Sequence, residues 1–69
     1  MDTSYENAVL KAAAFILTNI PAQHKEPIAL VINNAAAHFG DDAARDAFWQ
    51  LKSKGAIRFV DNNCITPSN

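Results

Sequence analysis

The chain has 69 residues, 49% of them apolar, with six Lys and Arg against seven Asp and Glu and a formal charge of −1. One small folded domain is expected, not a disordered chain, and no net charge is present that would draw it strongly to nucleic acid or to an anionic membrane. A domain of this size buries only roughly 60% of the surface its unfolded chain exposes. Its single cysteine, Cys64, has no partner for an internal disulfide, and His24 and His38 lie too far from it and from each other to suggest zinc. Stability must then come from close helix packing or from burial of further surface in an oligomer. The apolar run from Ala12 to Leu17 is far short of the roughly 20 residues that a membrane span requires. The start carries Asp2 and Glu6 where a secretory leader would be basic, so with an unpaired cysteine the expected location is the cytoplasm.

A first helix is predicted over residues 4–19, with Ser4 as its N-cap and Pro21 as the stop beyond it. Tyr5, Val9, Ala12, Ala13, Ile16 and Ile20 recur on one helical face, whereas Leu10 and Leu17 fall to one side of that face and Phe15 to the other. Such a broad apolar arc has two readings. Either the helix is buried on more than one side, or Leu10, Phe15 and Leu17 form a dimer or partner surface. A second helix is predicted over 27–39, opening on Pro27 in its first turn and closing with Gly40 in the C′ position. Its stripe is Ile28, Ile32, Ala35, Ala36 and Phe39, with Val31 alongside. Leu30 points away from the stripe and joins the candidate interface residues.

Gly40-Asp41 reads as a short turn, with Asp41 as N-cap of a third helix over 42–54. Ala44, Ala47, Phe48 and Leu51 take its core positions, so Arg45, Asp46, Trp49, Gln50 and Ser53 face outward and Lys52 and Lys54 lie at the margins. Gly55 ends the helix. A hairpin follows over 56–66, with Ile57 and Phe59 on one face and Arg58 and Val60 on the other. Asp61-Asn62-Asn63 is its turn, because asparagine tolerates a positive φ, and Cys64-Ile65-Thr66 returns as an outer strand that Pro67 ends.

The segment Ala47-Phe48-Trp49-Gln50-Leu51-Lys52-Ser53-Lys54-Gly55-Ala56-Ile57-Arg58-Phe59 resembles the join between recognition helix and wing in the winged helix-turn-helix superfamily, where an apolar helix, a leucine, a few polar residues, a glycine and an isoleucine recur in this order. The resemblance implies a mainly α fold with a small β-hairpin, an α+β arrangement of three helices and a wing. A helical bundle with an unstructured tail is the alternative fold. The resemblance further implies a DNA-binding transcriptional regulator with the third helix in the major groove. Carried onto this chain, Arg45 would bridge guanine O6 and N7, Gln50 would read adenine, and Lys52, Lys54 and Arg58 would hold phosphates.

Two features depart from that pattern. Residues 41–58 carry four basic side chains but also Asp41, Asp42 and Asp46, so a monomer should bind DNA weakly and lose it quickly with salt. The acids also have ordinary roles: Asp41 as a cap, Asp42 at the positive helix end, Asp46 solvated. Trp49, the sixth candidate nucleic-acid residue, is unusual for a base reader. The expectation is that its ring folds over the hairpin or the first helix and is mostly buried; otherwise it anchors a protein interface, where Trp and Arg are enriched. The alternative function is therefore a protein-binding winged helix, an accessory or inhibitory module acting through Trp49 and exposed apolar residues.

No phosphate-binding glycine loop, metal-ligand spacing or nucleophile motif appears, so an enzyme, a cofactor and a small-molecule substrate are not expected. His38 is assigned to the dipole at the end of the second helix, His24 to a loop, and Cys64 to packing.

Overall fold

A computed structural model describes residues 3–20 and 24–68. Among them the order is α1 (Thr3–Asn19), β1 (Glu26–Pro27), α2 (Ile28–Phe39), α3 (Asp41–Lys54), β2 (Ile57–Val60) and β3 (Cys64–Pro67). The protein is thus mainly α with a small antiparallel sheet, laid out like a winged helix. The sheet has three strands in the order β1-β3-β2.

Helix α1 begins one residue earlier than expected, so Ser4 lies inside its first turn and is not the N-cap. It ends at Asn19 as predicted, and the Asn19 side-chain amide donates to the Phe15 carbonyl at 2.8 Å, satisfying one acceptor of the open last turn. The predicted stop at Pro21 lies outside the described residues. Val9, Ala12, Ile16 and Ile20 of the predicted face are buried and Ala13 is half-buried, but Tyr5, at the start of the helix, is exposed. The helix is not covered on both shoulders, however: Leu10 is 59% exposed and Leu17 is also open.

Gly40 makes the corner between α2 and α3 alone. Its φ of 90° and ψ of 156° fall in a region essentially reserved for glycine. Its N–H donates to the Ala36 carbonyl at 2.8 Å, closing α2, and its carbonyl accepts from Ala44 N–H at 3.0 Å, opening α3. Asp41 is consequently the first helical residue and not the cap, and no side chain caps α3. Val31 and Ala35 are the buried centre of α2, with Ile28, Ile32, Ala36 and Phe39 half-buried around them, which reverses the predicted ranking of Val31. In α3 the predicted core positions Ala44, Ala47, Phe48 and Leu51 are all buried, together with Ala43.

The core joins these faces to Ile57 and Ile65 of the hairpin. Each helix turns fully buried alanines inward, Ala12, Ala35, Ala44 and Ala47, and small side chains at a crossing let helix axes approach closely. Gly55, in the left-handed region at φ 77°, closes α3 and turns the chain into β2. The hairpin pairs Ile57 with Pro67 and Val60 with Cys64, so Pro67 completes β3 instead of following it. In the turn the positive φ belongs to Asp61, at 54°, and not to an asparagine.

Strand β1 adds a third strand to the expected hairpin. Glu26 and Pro27 pair with Ile65 and Cys64 on the free side of β3, which makes the strand of Cys64 central and not outer. Pro27 is tolerated there because an edge strand need not donate on its open side. The Ile28 amide then donates to the Asn63 carbonyl at 2.8 Å, tying the start of α2 to the hairpin turn.

Because no atom lies within 4 Å of a Cβ built on Gly40, replacing it by alanine strains the backbone alone. Gly40→Ala is expected to lower the unfolding free energy by about 1–3 kcal/mol, measured by urea denaturation, with far-UV circular dichroism of the folded state unchanged.

Candidate nucleic-acid interface

The outward side of α3 is uncovered along its length, and Arg45, Asp46, Trp49, Gln50, Lys52, Ser53 and Lys54 are all exposed on it. Helical spacing divides them. Arg45, Trp49 and Lys52 stand at i, i+4 and i+7 and share the strip nearer the hairpin, whereas Asp46 and Gln50 lean to the α1 flank. There Gln50 lines a shallow groove with Tyr5, Val9 and Leu10.

Trp49 is 56% exposed, which corrects the expectation of a mostly buried ring. It does lean on the hairpin. Its indole meets Phe48 at 5.5 Å and Phe59 at 6.2 Å between centroids, both edge-on. Phe59, which shares one face of β2 with Ile57, is a further functional candidate beside Trp49. It stacks on Phe48 at 6.0 Å yet remains 45% exposed, with the Lys52 ammonium 5.2 Å from its ring centroid. Strand β2 forms over Ile57–Val60 with the expected alternation. What that alternation does not reveal is that Phe59, two residues beyond the buried Ile57, already stands at the margin of the core.

Arg58 does not join this strip. It occupies the other face of β2, beside a hollow lined also by His24, Lys25 and Val60. The six residues proposed for nucleic acid therefore divide among the α3 strip, the α1 flank and the far side of the hairpin. Lys25 also stands on that far side, ion-paired with Asp61, so the loop before β1 is held to the hairpin turn. The Asp61 carboxylate raises the pKa of Lys25 by hydrogen bonding and by its charge. Thr66, the one buried polar side chain among the described residues, donates to the His24 carbonyl at 2.6 Å.

Asp46 is not simply solvated. Its carboxylate accepts a hydrogen bond from the Tyr5 hydroxyl, joining the first turns of α1 to α3. Of the candidate interface residues, Leu10, Leu17 and Leu30 are exposed, whereas the half-buried Phe15 packs its ring against His38 at 4.8 Å and Phe39 at 5.7 Å between α1 and α2. His38 is in the last turn of α2, as assigned. Among the described residues no group of three His, Cys, Asp or Glu is placed to hold a metal ion, and no helix is long and apolar enough to cross a membrane.

Comparison of the chain with protein-family models, with curated proteins and with solved structures finds no match.

The Tyr5–Asp46 bond has a direct readout, since Tyr5 is the only tyrosine. The hydrogen bond to Asp46, then partial burial and the charges of Asp46 and Asp42, push the phenol from its ordinary 10.0 up to about 12. A folded-state pKa above the unfolded value means that the bond stabilises the fold fully below pH 10.0 and that this stability is lost as pH rises toward 12. Ultraviolet titration of phenolate should find Tyr5 ionising near 12, and Asp46→Asn should bring the midpoint back toward 10.0. An unshifted wild-type midpoint would show that the bond does not form in solution.

Proposed function

We propose that this protein is a small cytoplasmic DNA-binding regulator that presents α3 to the major groove and the hairpin to the flanking backbone. The observation that carries the reading is the state of the charges on this side. Among the described residues Arg45, Lys52, Lys54 and Arg58 reach solvent with no ion-pair partner, while the neighbouring acids Asp46 and Asp61 are held by Tyr5 and Lys25. Asp41 and Asp42 remain free at the N-terminus of α3 and repel phosphate, so the helix enters by its middle and its C-terminal half. In this arrangement Arg45 reads a guanine edge, Lys52 and Lys54 hold one backbone, and Arg58 holds the other from the far side of the hairpin. Gln50 reaches a base only where the duplex also lies against α1. A homodimer through the exposed Leu10, Leu17 and Leu30 would double the phosphate contacts.

Three phosphate contacts give a slope of about −3 in a plot of log affinity against log salt. Fluorescence anisotropy on mixed duplex DNA at low salt is expected to find weak binding with that slope, and Lys54→Gln is expected to reduce the slope by about 1. Absence of binding at tens of micromolar protein, or binding indifferent to salt, rejects the reading.

A second reading has one observation in its favour, the exposed Trp49–Phe59 pair. Tryptophan beside arginine is the usual composition of a protein-interface hot spot. In that case α3 docks a larger protein, and Trp49→Ala should abolish partner recovery in affinity purification from the native host; unchanged recovery excludes it.

A further inference from the structure

Trp49 and Phe59 are the two described aromatic side chains that the fold leaves most open, and they stand together. The indole contacts Phe48 at an interplanar angle of 88° and Phe59 at 63°. Both contacts are edge-on, so no described ring stacks on the indole, and among the described residues the only cation over a ring is Lys52 above Phe59. Arg45 and Lys52, four residues before and three after Trp49, flank it on the same strip of α3. From Trp49 to the C-terminal end of the helix the charged side chains are Lys52 and Lys54 and no acid, whereas Asp41 and Asp42 lie about two turns the other way.

A stacked duplex does not use such a surface well. Its bases offer their edges in the grooves and keep their π faces covered by neighbouring pairs. An unpaired base offers a free face that stacks on an aromatic ring, while nearby cations take the adjoining phosphates. Resting on the reading of α3 as a nucleic-acid face, we propose that the Trp49 indole, braced edge-on by Phe59, is a stacking platform for an unpaired base. Arg45 and Lys52 hold the phosphates on either side of that base. The strand leaves toward Lys54, away from Asp41 and Asp42. The favoured ligand is accordingly single-stranded DNA or RNA, or a duplex with a base turned out, ahead of an intact duplex.

The chain's only tryptophan lies in the site, which makes the test direct. The full chain is titrated at low salt with an oligodeoxythymidylate of about a dozen residues, then with a mixed duplex of the same length, while indole emission and anisotropy of labelled DNA are recorded. Quenching of Trp49 by the single strand, with tighter binding than to the duplex, is the expected result. Trp49→Ala should weaken single-strand binding on the order of ten- to a hundredfold and duplex binding much less. Because Trp49 is exposed, that variant retains the fold, which circular dichroism checks; Phe59→Leu should give a smaller loss in the same direction. Equal binding of both DNAs with unchanged indole emission overturns the platform and leaves duplex recognition standing. If neither DNA binds, both proposals fall, and the aromatic pair is left to a protein partner.

Discussion

The corner at Gly40 fixes where every other surface of the molecule faces. One residue, at a backbone conformation that side chains resist, both ends α2 and starts α3, so the angle between the helices has little slack. That angle brings Val31 and Ala35 of α2 against the alanines and Phe48 of α3, and the opposite side of α3 is then turned wholly to solvent. The same corner explains the acids that sit awkwardly on a DNA-facing helix. With glycine as the cap, no side chain satisfies the first amides of α3, and Asp41 and Asp42 in the first turn oppose the positive end of the helix dipole instead. They belong first to the making of the corner.

Two further ties hold the remaining elements to α3, and both act from its flanks. On one flank Tyr5 donates to Asp46 and pins the start of α1. On the other, Phe59 lies on Phe48 and is covered by Lys52, so the hairpin is fixed to the helix by a column of rings and a cation. Between these ties runs the strip of Arg45, Trp49 and Lys52. Its geometry is set by neighbours on both sides and needs no ligand to form it, which is the condition for a rigid contact surface.

Much of this order is legible in the chain because the signals agree with one another. Glycine at 40 and 55, alanines at the helical spacing of the core, and the alternation of Ile57, Arg58 and Phe59 each point to the same elements. The features that escaped are those that depend on distant partners. Strand β1 is two residues long and exists only because β3 has a free edge beside it. Val31 becomes central to α2 through the side from which α1 and α3 approach, which helical periodicity alone leaves undetermined. Tyr5 and Asp46 are 41 residues apart and have no local pattern in common. The site was legible as a list of outward residues on α3. Its division was not, because the placement of Arg58 with Lys25 and of Gln50 with Leu10 follows from tertiary packing.

The exposure of Trp49 bears on function by a physical argument that is independent of the fold. A small domain gains about 25 cal/mol for each Å² of apolar surface it removes from water, and an indole is the largest single source of such surface. Position 49 supplies little of that gain, because the core of α3 is already filled from the opposite side by Ala44, Ala47, Phe48 and Leu51 and the ring stays 56% exposed. A polar residue at 49 would leave the packing of α3 against the other helices intact, giving up only the edge-on ring contacts to Phe48 and Phe59, and would make the surface more soluble. Folding therefore gives no reason for tryptophan at this place, in contrast with Phe48 beside it, whose burial the fold requires. The indole, Phe59 and the two flanking cations make a surface whose use lies in what it contacts.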